Sequence, residues 1–209
     1  MSEIKIYPLG PLQTNCYVVV NKGRALVIDP GGDPAAPMGY LKSSGVELDC
    51  ILNTHLHFDH IYGNRALADA SGKNIYASDD DLVLMDTEVG RGGLMGFPTV
   101  TPFESNNIAA GETELIGLKC RVLATPGHTP GSLTFYFPEL QAAFVGDALF
   151  RRSIGRTDFP YGNTEQLLSS IKEQIFTLPE NTVVYSGHGP ETSVGDEKNH
   201  NPFFSGMQI

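Results

Sequence analysis

The segment from Asn53 to His60 reads Asn-Thr-His-Leu-His-Phe-Asp-His, and it constrains the fold more than any other part of the chain. Three histidines and one aspartate fall within the range His55–His60. Imidazole and carboxylate groups are the ligands that borderline divalent metals accept, so this density of ligands indicates a metal site. The fold must therefore hold this segment close to further ligands from elsewhere in the chain.

The residues before the segment show where it lies in the fold. Leu48–Asn53 is a compact apolar run that predicts a buried strand, so the histidines follow directly after its C-terminal end. Further β-branched or aromatic runs, separated by Gly and Pro, predict short strands in both halves of the chain. These runs are Ile4–Tyr7, Cys16–Val20, Ala25–Ile28, Lys73–Ala77, Thr113–Ile116, Lys119–Ala124, Ser132–Phe137, Ala142–Val145 and Thr182–Tyr185.

Helices are predicted after the strands of each half. The predicted helices are residues 34–44 with Asp33 as N-cap, 60–71, 79–85 and 164–176. Residues 88–104 are rich in Gly and Pro and predict a long irregular loop. Two strand-rich halves, each finished by helices, fit an α/β fold in which two packed sheets are covered by outer helices. We expect a single domain over residues 1–209, because no linker separates the halves.

The charge of the chain restricts its partners. With 14 basic and 24 acidic residues the net charge is −10, which disfavours nucleic acid and anionic membrane surfaces as partners. The N-terminal residues lack the layout of a signal peptide, and the chain has no run of 18 apolar residues, so we expect a cytoplasmic protein. The cysteines at 16, 50 and 120 are far apart and are predicted to be small core residues.

Three further candidate ligands follow apolar runs in the second half of the chain. They are His128, Asp147 and His188, each flanked by glycine, which permits a tight turn and a close approach of the backbone. Each is weak evidence alone, but together with the first segment they make five histidines and two aspartates. That number exceeds the ordinary coordination of one ion and suits two ions that share a bridging ligand.

These motifs resemble the metallo-β-lactamase superfamily, and within it the glyoxalase II-like thioesterases in a short form without their C-terminal helical domain. The resemblance rests on Asp29, on the three ligand-bearing motifs after it, on Ser-Ile-Gly-Arg-Thr-Asp ending at position 158, and on Gly-His-Gly-Pro ending at position 190. It implies the αββα sandwich of that superfamily, in which two mixed β-sheets pack face to face with helices on the outer faces.

The resemblance also implies a role for each candidate ligand. A first metal would be held by His55, His57 and His128, and a second by Asp59, His60 and His188, with Asp147 bridging the two. Asp29 would support the His-rich loop from behind, as carboxylates commonly do for metal-bound imidazoles. The cofactors would be two divalent metal ions, zinc by preference, with iron or manganese as alternatives.

The activity implied by the resemblance is hydrolysis of a small acyl thioester by a metal-bridging hydroxide, with no protein side chain as nucleophile. In glyoxalase II-like proteins the substrate is S-lactoylglutathione, which yields lactate and glutathione. A cationic residue nine positions after the bridging aspartate contacts the glutathione, and here that position is Arg156. A surface arginine without this role is the alternative.

A second activity in the same superfamily fits part of this pattern. Persulfide dioxygenases resemble the chain around Gly-Arg-Thr-Asp ending at position 158, and they use one iron with glutathione persulfide. His55, His128 and Asp147 would then form the two-histidine, one-carboxylate triad of a non-haem iron oxygenase. A lactonase or β-lactamase would use the same metals, although an amide leaving group needs a proton donor.

Overall fold

The computed structural model describes residues 2–93 and 96–204. The chain divides into two compact units, the first made of Met1–Ile108 and Glu114–Leu118, and the second of Ala109–Thr113 and Lys119–Ile209. The prediction of a single domain stays a prediction. None of the helices in residues 2–93 and 96–204 is both long and apolar enough to cross a membrane.

The first unit contains a six-stranded mixed sheet. Its strands, in spatial and sequence order, are β1 (Glu3–Leu9), β2 (Thr14–Asn21), β3 (Arg24–Ile28), β4 (Glu47–Leu52), β5 (Ile75–Ala77) and β6 (Asn106–Asn107). The first three strands pair antiparallel and cover the strands predicted at Ile4–Tyr7, Cys16–Val20 and Ala25–Ile28. The remaining pairs, from β3 to β6, are parallel. Parallel neighbours end at the same edge, so residues that follow β3 and β4 meet there.

The described residues of the first unit form four α-helices: α1 (Ala35–Ser44), α2 (Phe58–Ile61), α3 (Asn64–Ser71) and α4 (Glu88–Arg91). A 3₁₀ helix also spans Asp79–Asp86. One cluster of buried apolar residues includes Val18, Val27, Ile51 and Leu67. A second cluster, around Leu56, Ile61 and Leu84, lies under the His-rich segment. Burial of these apolar side chains stabilises the structure around the segment.

A second mixed sheet lies mostly in the second unit. Its spatial order is β14 (Thr192–Ser193), β13 (Val183–Ser186), β10 (Ala142–Gly146), β9 (Leu133–Phe137), β8 (Leu118–Ala124) and β7 (Gly111–Leu115). The pair β10 and β13 is parallel, whereas β9 pairs antiparallel with both β8 and β10. Two short strands, β11 (Leu149–Phe150) and β12 (Ser153–Ile154), form a separate hairpin directly after β10. The predicted class of two mixed sheets with helices is confirmed.

The helices of the second unit include one irregular turn. α5 spans Thr164–Ser170 with Asn163 as N-cap, and it continues into a π-helical turn over Ile171–Ile175. Leu167, Ile171 and Ile175 are completely buried in the core of this unit. α6 (Val194–His200) follows β14 and begins at Ser193, whose hydroxyl accepts a hydrogen bond from the Asp196 backbone.

Several predicted elements differ in detail from the structure. The helix expected over residues 60–71 is interrupted, because α2 ends at Ile61 and α3 begins at Asn64. Asp33 does accept a hydrogen bond from the Ala35 backbone, but the N-cap position of α1 is Pro34. The predicted loop over residues 88–104 begins with α4, and its positions 94 and 95 lie outside the described residues.

Candidate functional site

The His-rich segment of the first unit is a buried loop that joins β4 to α2. His55, His57, Asp59 and His60 are all buried, although they belong to residue types that are usually exposed or only partly buried. His57 is the N-cap residue of α2, and Asp59 and His60 lie in that helix. A loop followed at once by a short helix turns the four side chains toward one another, which an extended strand would not do.

Short distances relate these four side chains. The rings of His55 and His57 have centroids 4.8 Å apart, and those of His55 and His60 have centroids 4.0 Å apart. Nε2 of His60 lies 3.6 Å from Oδ2 of Asp59. The ligand atoms of His55 with His57, of His55 with His60, and of Asp59 with His60 lie within 4.8 Å of one another. One loop therefore concentrates three imidazoles and one carboxylate as metal-ligand candidates.

Asp29 contacts this loop from the end of β3. Its carboxylate accepts hydrogen bonds from the Thr54 backbone at 2.8 Å, from the Thr54 hydroxyl at 2.6 Å and from Nδ1 of His60 at 2.9 Å. A proton on Nδ1 leaves the lone pair of Nε2 for a metal, because a neutral imidazole carries only one N–H. The structure thus places Asp29 against a candidate ligand, and its predicted supporting role stays a prediction.

Two more side chains hold the loop, and the sequence analysis did not identify either. Oδ2 of Asp81, which is fully buried in the 3₁₀ helix, accepts a hydrogen bond from the Leu56 backbone at 3.0 Å. The hydroxyl of Thr14, on β2, donates to Oδ2 of Asp59 at 2.9 Å. The sequence offers one local signal for Asp81, the run of three aspartates at 79–81, which also suits the first turn of the helix predicted over residues 79–85.

In the second unit, Asp147 lies between two histidines. Asp147 and His188 follow β10 and β13, which are parallel neighbours, so both lie at the same edge of the sheet. Oδ2 of Asp147 is 3.6 Å from Nε2 of His128 and 3.6 Å from Nε2 of His188. This arrangement brings together the three candidate ligands that the second half of the sequence predicted.

The segment after the β11–β12 hairpin orients His128. Nδ1 of His128 lies 2.7 Å from the backbone carbonyl of Arg156, which can only accept a hydrogen bond. The histidine therefore donates through Nδ1, and Nε2 is the atom available to a metal. Gly155 makes this close approach possible, because a Cβ at that position would lie 1.9 Å from the Asp147 carbonyl oxygen and 3.3 Å from Nδ1 of His128.

The side chain of Arg156, the predicted substrate contact, is engaged with its own neighbours. Its guanidinium donates two hydrogen bonds to the Asp158 carboxylate and lies 3.9 Å from the centroid of the Phe159 ring. These hydrogen bonds lower the pKa of Asp158 to about 2. The structure thus gives Arg156 a backbone role toward His128 that the sequence did not reveal, and its contact with substrate stays a prediction.

The donor groups fit divalent metal ions of the zinc, iron or manganese type. Imidazole and carboxylate suit all three, and the hydrogen bonds at Nδ1 of His60 and His128 leave Nε2 of each ring for coordination. The cysteines are core residues as predicted: burial raises the pKa of the Cys50 thiol to about 12 and that of Cys16 further still. Thiolate ligation by these two residues is thereby disfavoured.

Comparison with known proteins agrees with this donor set. Residues 9–188 match the model of the metallo-β-lactamase superfamily. A probable metallo-hydrolase of Bacillus subtilis, YqgX, is 38% identical over 205 residues, which cover 97% of each protein. The hydroxyacylglutathione hydrolase GloC of Haemophilus influenzae is 34% identical over 208 residues, covering 97% of this chain and 98% of that protein.

Two solved structures extend the comparison to the whole fold. The B3 metallo-β-lactamase BLEG-1 superposes with a TM-score of 0.91 and 39% identity, covering 98% of this chain and all of that one. TTHA1623 in a di-iron-bound form superposes with a TM-score of 0.86 and 36% identity, covering 95% and 99%. With its sheets, its two His/Asp groups and these relatives, the chain belongs to the metallo-β-lactamase superfamily.

Proposed function

We propose that the protein hydrolyses a small acyl thioester with the help of two divalent metal ions, and that S-lactoylglutathione is the substrate. The observation that carries the proposal is the donor set, since each unit presents its own group of imidazole and carboxylate ligands with supporting hydrogen bonds. The similarity to hydroxyacylglutathione hydrolase GloC over nearly the full length supports the choice of thioester.

The proposed ligand assignment follows the superfamily pattern. His55, His57 and His128 would hold one ion, Asp59, His60 and His188 the other, and Asp147 would bridge both. Divalent ions held in this way lower the pKa of water, so that hydroxide is available at neutral pH, and they polarise a carbonyl. Zinc is our first choice of ion, and iron is the alternative because TTHA1623 was solved in a di-iron-bound form.

The chain's own residues would position the ligands, and the thioester would need little further help. Asp29 fixes the proton of His60 on Nδ1, and the Arg156 carbonyl does the same for His128. A thiol has a pKa of about 8.5, so the glutathione sulfur can leave as a thiolate without a strong proton donor. This tolerance is why a thioester fits better than an amide.

Arg156 is the proposed contact for a glutathione carboxylate. Its side chain is 59% exposed, and arginine binds carboxylates through two parallel hydrogen bonds. Asp158 already occupies that geometry, so substrate binding would exchange one carboxylate for another. An anionic substrate needs such a local cation, because the net charge of the chain is −10.

A mononuclear iron dioxygenase that acts on glutathione persulfide is the second candidate function. The feature in its favour is the set of two imidazoles and one carboxylate that His55, His128 and Asp147 would offer to one iron. The relative TTHA1623 supports iron as the metal, but its two irons match the ion number of the hydrolase. The hydrolase and the oxygenase differ in the number of ions and in the use of oxygen.

The hydrolase and the dioxygenase are distinguished by measuring the metal content and the reaction catalysed on the same preparation. Elemental analysis of protein prepared without added metal gives the identity and number of ions. The same preparation is assayed with S-lactoylglutathione, with glutathione persulfide in an oxygen electrode, and with a β-lactam. We expect two ions per chain and thioester hydrolysis; hydrolysis no faster than in the metal-free control would refute the proposal.

The proposed cellular location and partners rest on the sequence. We propose a cytoplasmic enzyme whose partner is a small thioester, with neither nucleic acid nor a membrane as a partner. Fractionation of cells with an antibody to the chain tests the location. Recovery in the membrane fraction would contradict it.

A further inference from the structure

Thr14 makes a buried contact with one candidate ligand. It is the first residue of β2, its side chain is completely buried, and its hydroxyl lies 2.9 Å from Oδ2 of Asp59. The carboxylate can only accept, so the threonine hydroxyl donates. Hydrogen bonds to charged groups are stronger than those between neutral groups, so this contact is a strong constraint on the carboxylate.

Gly31 packs closely against both residues of this contact. A Cβ at Gly31 would lie 1.8 Å from the Asp59 carbonyl oxygen and 2.9 Å from Cβ of Thr14. Thr14 is paired with Leu9 of β1, and its branched side chain has few rotamers. Thr14 and Asp59 therefore have little freedom to move, and a change at one is not easily compensated by a shift of the other.

The contact is selective within the ligand loop. Thr14 reaches Asp59, whereas Asp29 contacts His60 and Asp81 contacts the backbone between His55 and His57. In the ligand assignment proposed above, Asp59 belongs to the second ion only. A hydroxyl that stops this carboxylate from rotating favours one coordination geometry and removes an entropic cost of binding.

We propose that Thr14 is a positioning residue that sets the affinity of the second metal ion by orienting Asp59. This inference rests on the proposed two-metal function. It assigns to a residue outside the ligand motifs control over whether the protein holds one ion or two. Because ion number also separates the two candidate functions, Thr14 would influence which chemistry the chain supports.

The test compares Thr14→Val, which keeps the shape and removes the hydroxyl, with Thr14→Ser, which keeps the hydroxyl. Metal-free forms of both variants and the wild type are titrated with zinc in competition with a chromophoric chelator. We expect Thr14→Val to weaken one of two zinc equivalents by about 10–100-fold, as loss of a supporting partner typically does. The other equivalent should stay within about twofold, and Thr14→Ser should remain close to wild type.

The possible outcomes separate the two proposals. Equal zinc affinities in Thr14→Val and wild type, or equal weakening of both equivalents, would overturn the positioning role while leaving the two-metal function intact. A single equivalent in the wild type would instead refute the two-metal function. If Thr14→Val does not fold, Thr14→Ala provides the hydroxyl-free comparison, and thermal unfolding of each metal-free variant shows whether the fold is retained.

Discussion

Arg156 and Asp158 form a two-pronged ion pair across two residues of sequence, with Nε at 2.8 Å from Oδ1 and Nη2 at 2.6 Å from Oδ2. The pair occupies the two parallel donor positions of the guanidinium, which are those that arginine uses to bind a carboxylate. A substitution at Asp158 removes the carboxylate of the pair and leaves the Arg156 side chain unchanged. If Arg156 binds substrate as proposed, a change at Asp158 should alter both the substrate affinity and the pKa of this pair.

Replacing Asp158 by asparagine should lower the KM for S-lactoylglutathione by up to about fivefold with little change in kcat. The substrate would no longer have to displace Asp158 from the guanidinium, and the effect stays modest because exposed ion pairs are weak. Steady-state kinetics measure the effect, with Arg156→Ala as the comparison that should raise KM. An unchanged KM in both variants would remove Arg156 from the substrate site.

The pKa of Asp158 should be about 2 in the folded protein and should rise toward the ordinary value of about 3.9 in Arg156→Gln. A carboxyl with a lowered folded pKa contributes stability that is present above the unfolded pKa and is lost as the pH falls through about 2. NMR titration of the carboxyl carbon measures this. A wild-type midpoint near 4 would contradict the ion pair.

Glu197 is the centre of a buried network, so Glu197→Ala should lower the free energy of unfolding by about 3 kcal/mol. Its completely buried carboxylate accepts hydrogen bonds from Arg152 at the backbone and Nη1, from the Thr192 hydroxyl and from the Asn201 amide. Asp196→Ala is the matched control, since Asp196 also pairs with Arg152 but is 37% exposed. Denaturant unfolding should show a much smaller loss for the control, because exposed ion pairs contribute little. Equal losses in the two variants would contradict the burial argument.

Gly155→Ala should destabilise the protein by about 1–3 kcal/mol or more, because the new methyl group would overlap the Asp147 carbonyl oxygen. The backbone shift that relieves the overlap would also move the Arg156 carbonyl away from His128. Gly39→Ala in α1 is the control, because a Cβ there meets no atom within 4 Å. Thermal unfolding should show a gain of about 1 kcal/mol for the control, since alanine is a better helix former.

Asp81→Ala should lower the free energy of unfolding by about 1–3 kcal/mol, because the buried Leu56 N–H would lose its acceptor. Since Leu56 separates His55 from His57, we also expect zinc affinity to fall by about tenfold or more. Asp80→Ala provides the control at an exposed neighbour, where the effect should stay within about 0.5 kcal/mol. Wild-type stability and zinc affinity in Asp81→Ala would show that the carboxylate is dispensable.

His55→Ala should abolish turnover while leaving the fold largely intact. The imidazole is a ligand in both candidate functions, so neither survives its loss. Circular dichroism checks the fold, and the thioester assay checks activity. Wild-type turnover in this variant would remove the metal mechanism altogether.

The sequence predicted the strands and the candidate ligands because both leave local patterns. Continuous apolar and β-branched runs located β2, β3 and β4 to within two residues of their observed ends. The density of histidine indicated the ligand loop. The hairpin of β11 and β12 was missed because two-residue strands have no measurable period. α6 was missed because its sequence carries a capping signal but no apolar stripe.

The partners of the candidate ligands could not be predicted in the same way. Thr14 is 45 residues from Asp59, and Asp81 is 25 residues from Leu56. Which of the three consecutive aspartates at 79–81 turns inward depends on the turn of the 3₁₀ helix and on the packing beneath it. Contacts of this kind are set by tertiary packing, which a single sequence does not display.

The π-helical turn after α5 has a consequence for insertions and deletions in related chains. Leu167, Ile171 and Ile175 are four residues apart, and a regular α-helix would rotate by about 40° at each such step. The wider turn keeps all three side chains in one core. A relative that lacks one residue between positions 171 and 175 should therefore form an uninterrupted α-helix. Its apolar residues should then be spaced alternately three and four positions apart along the sequence.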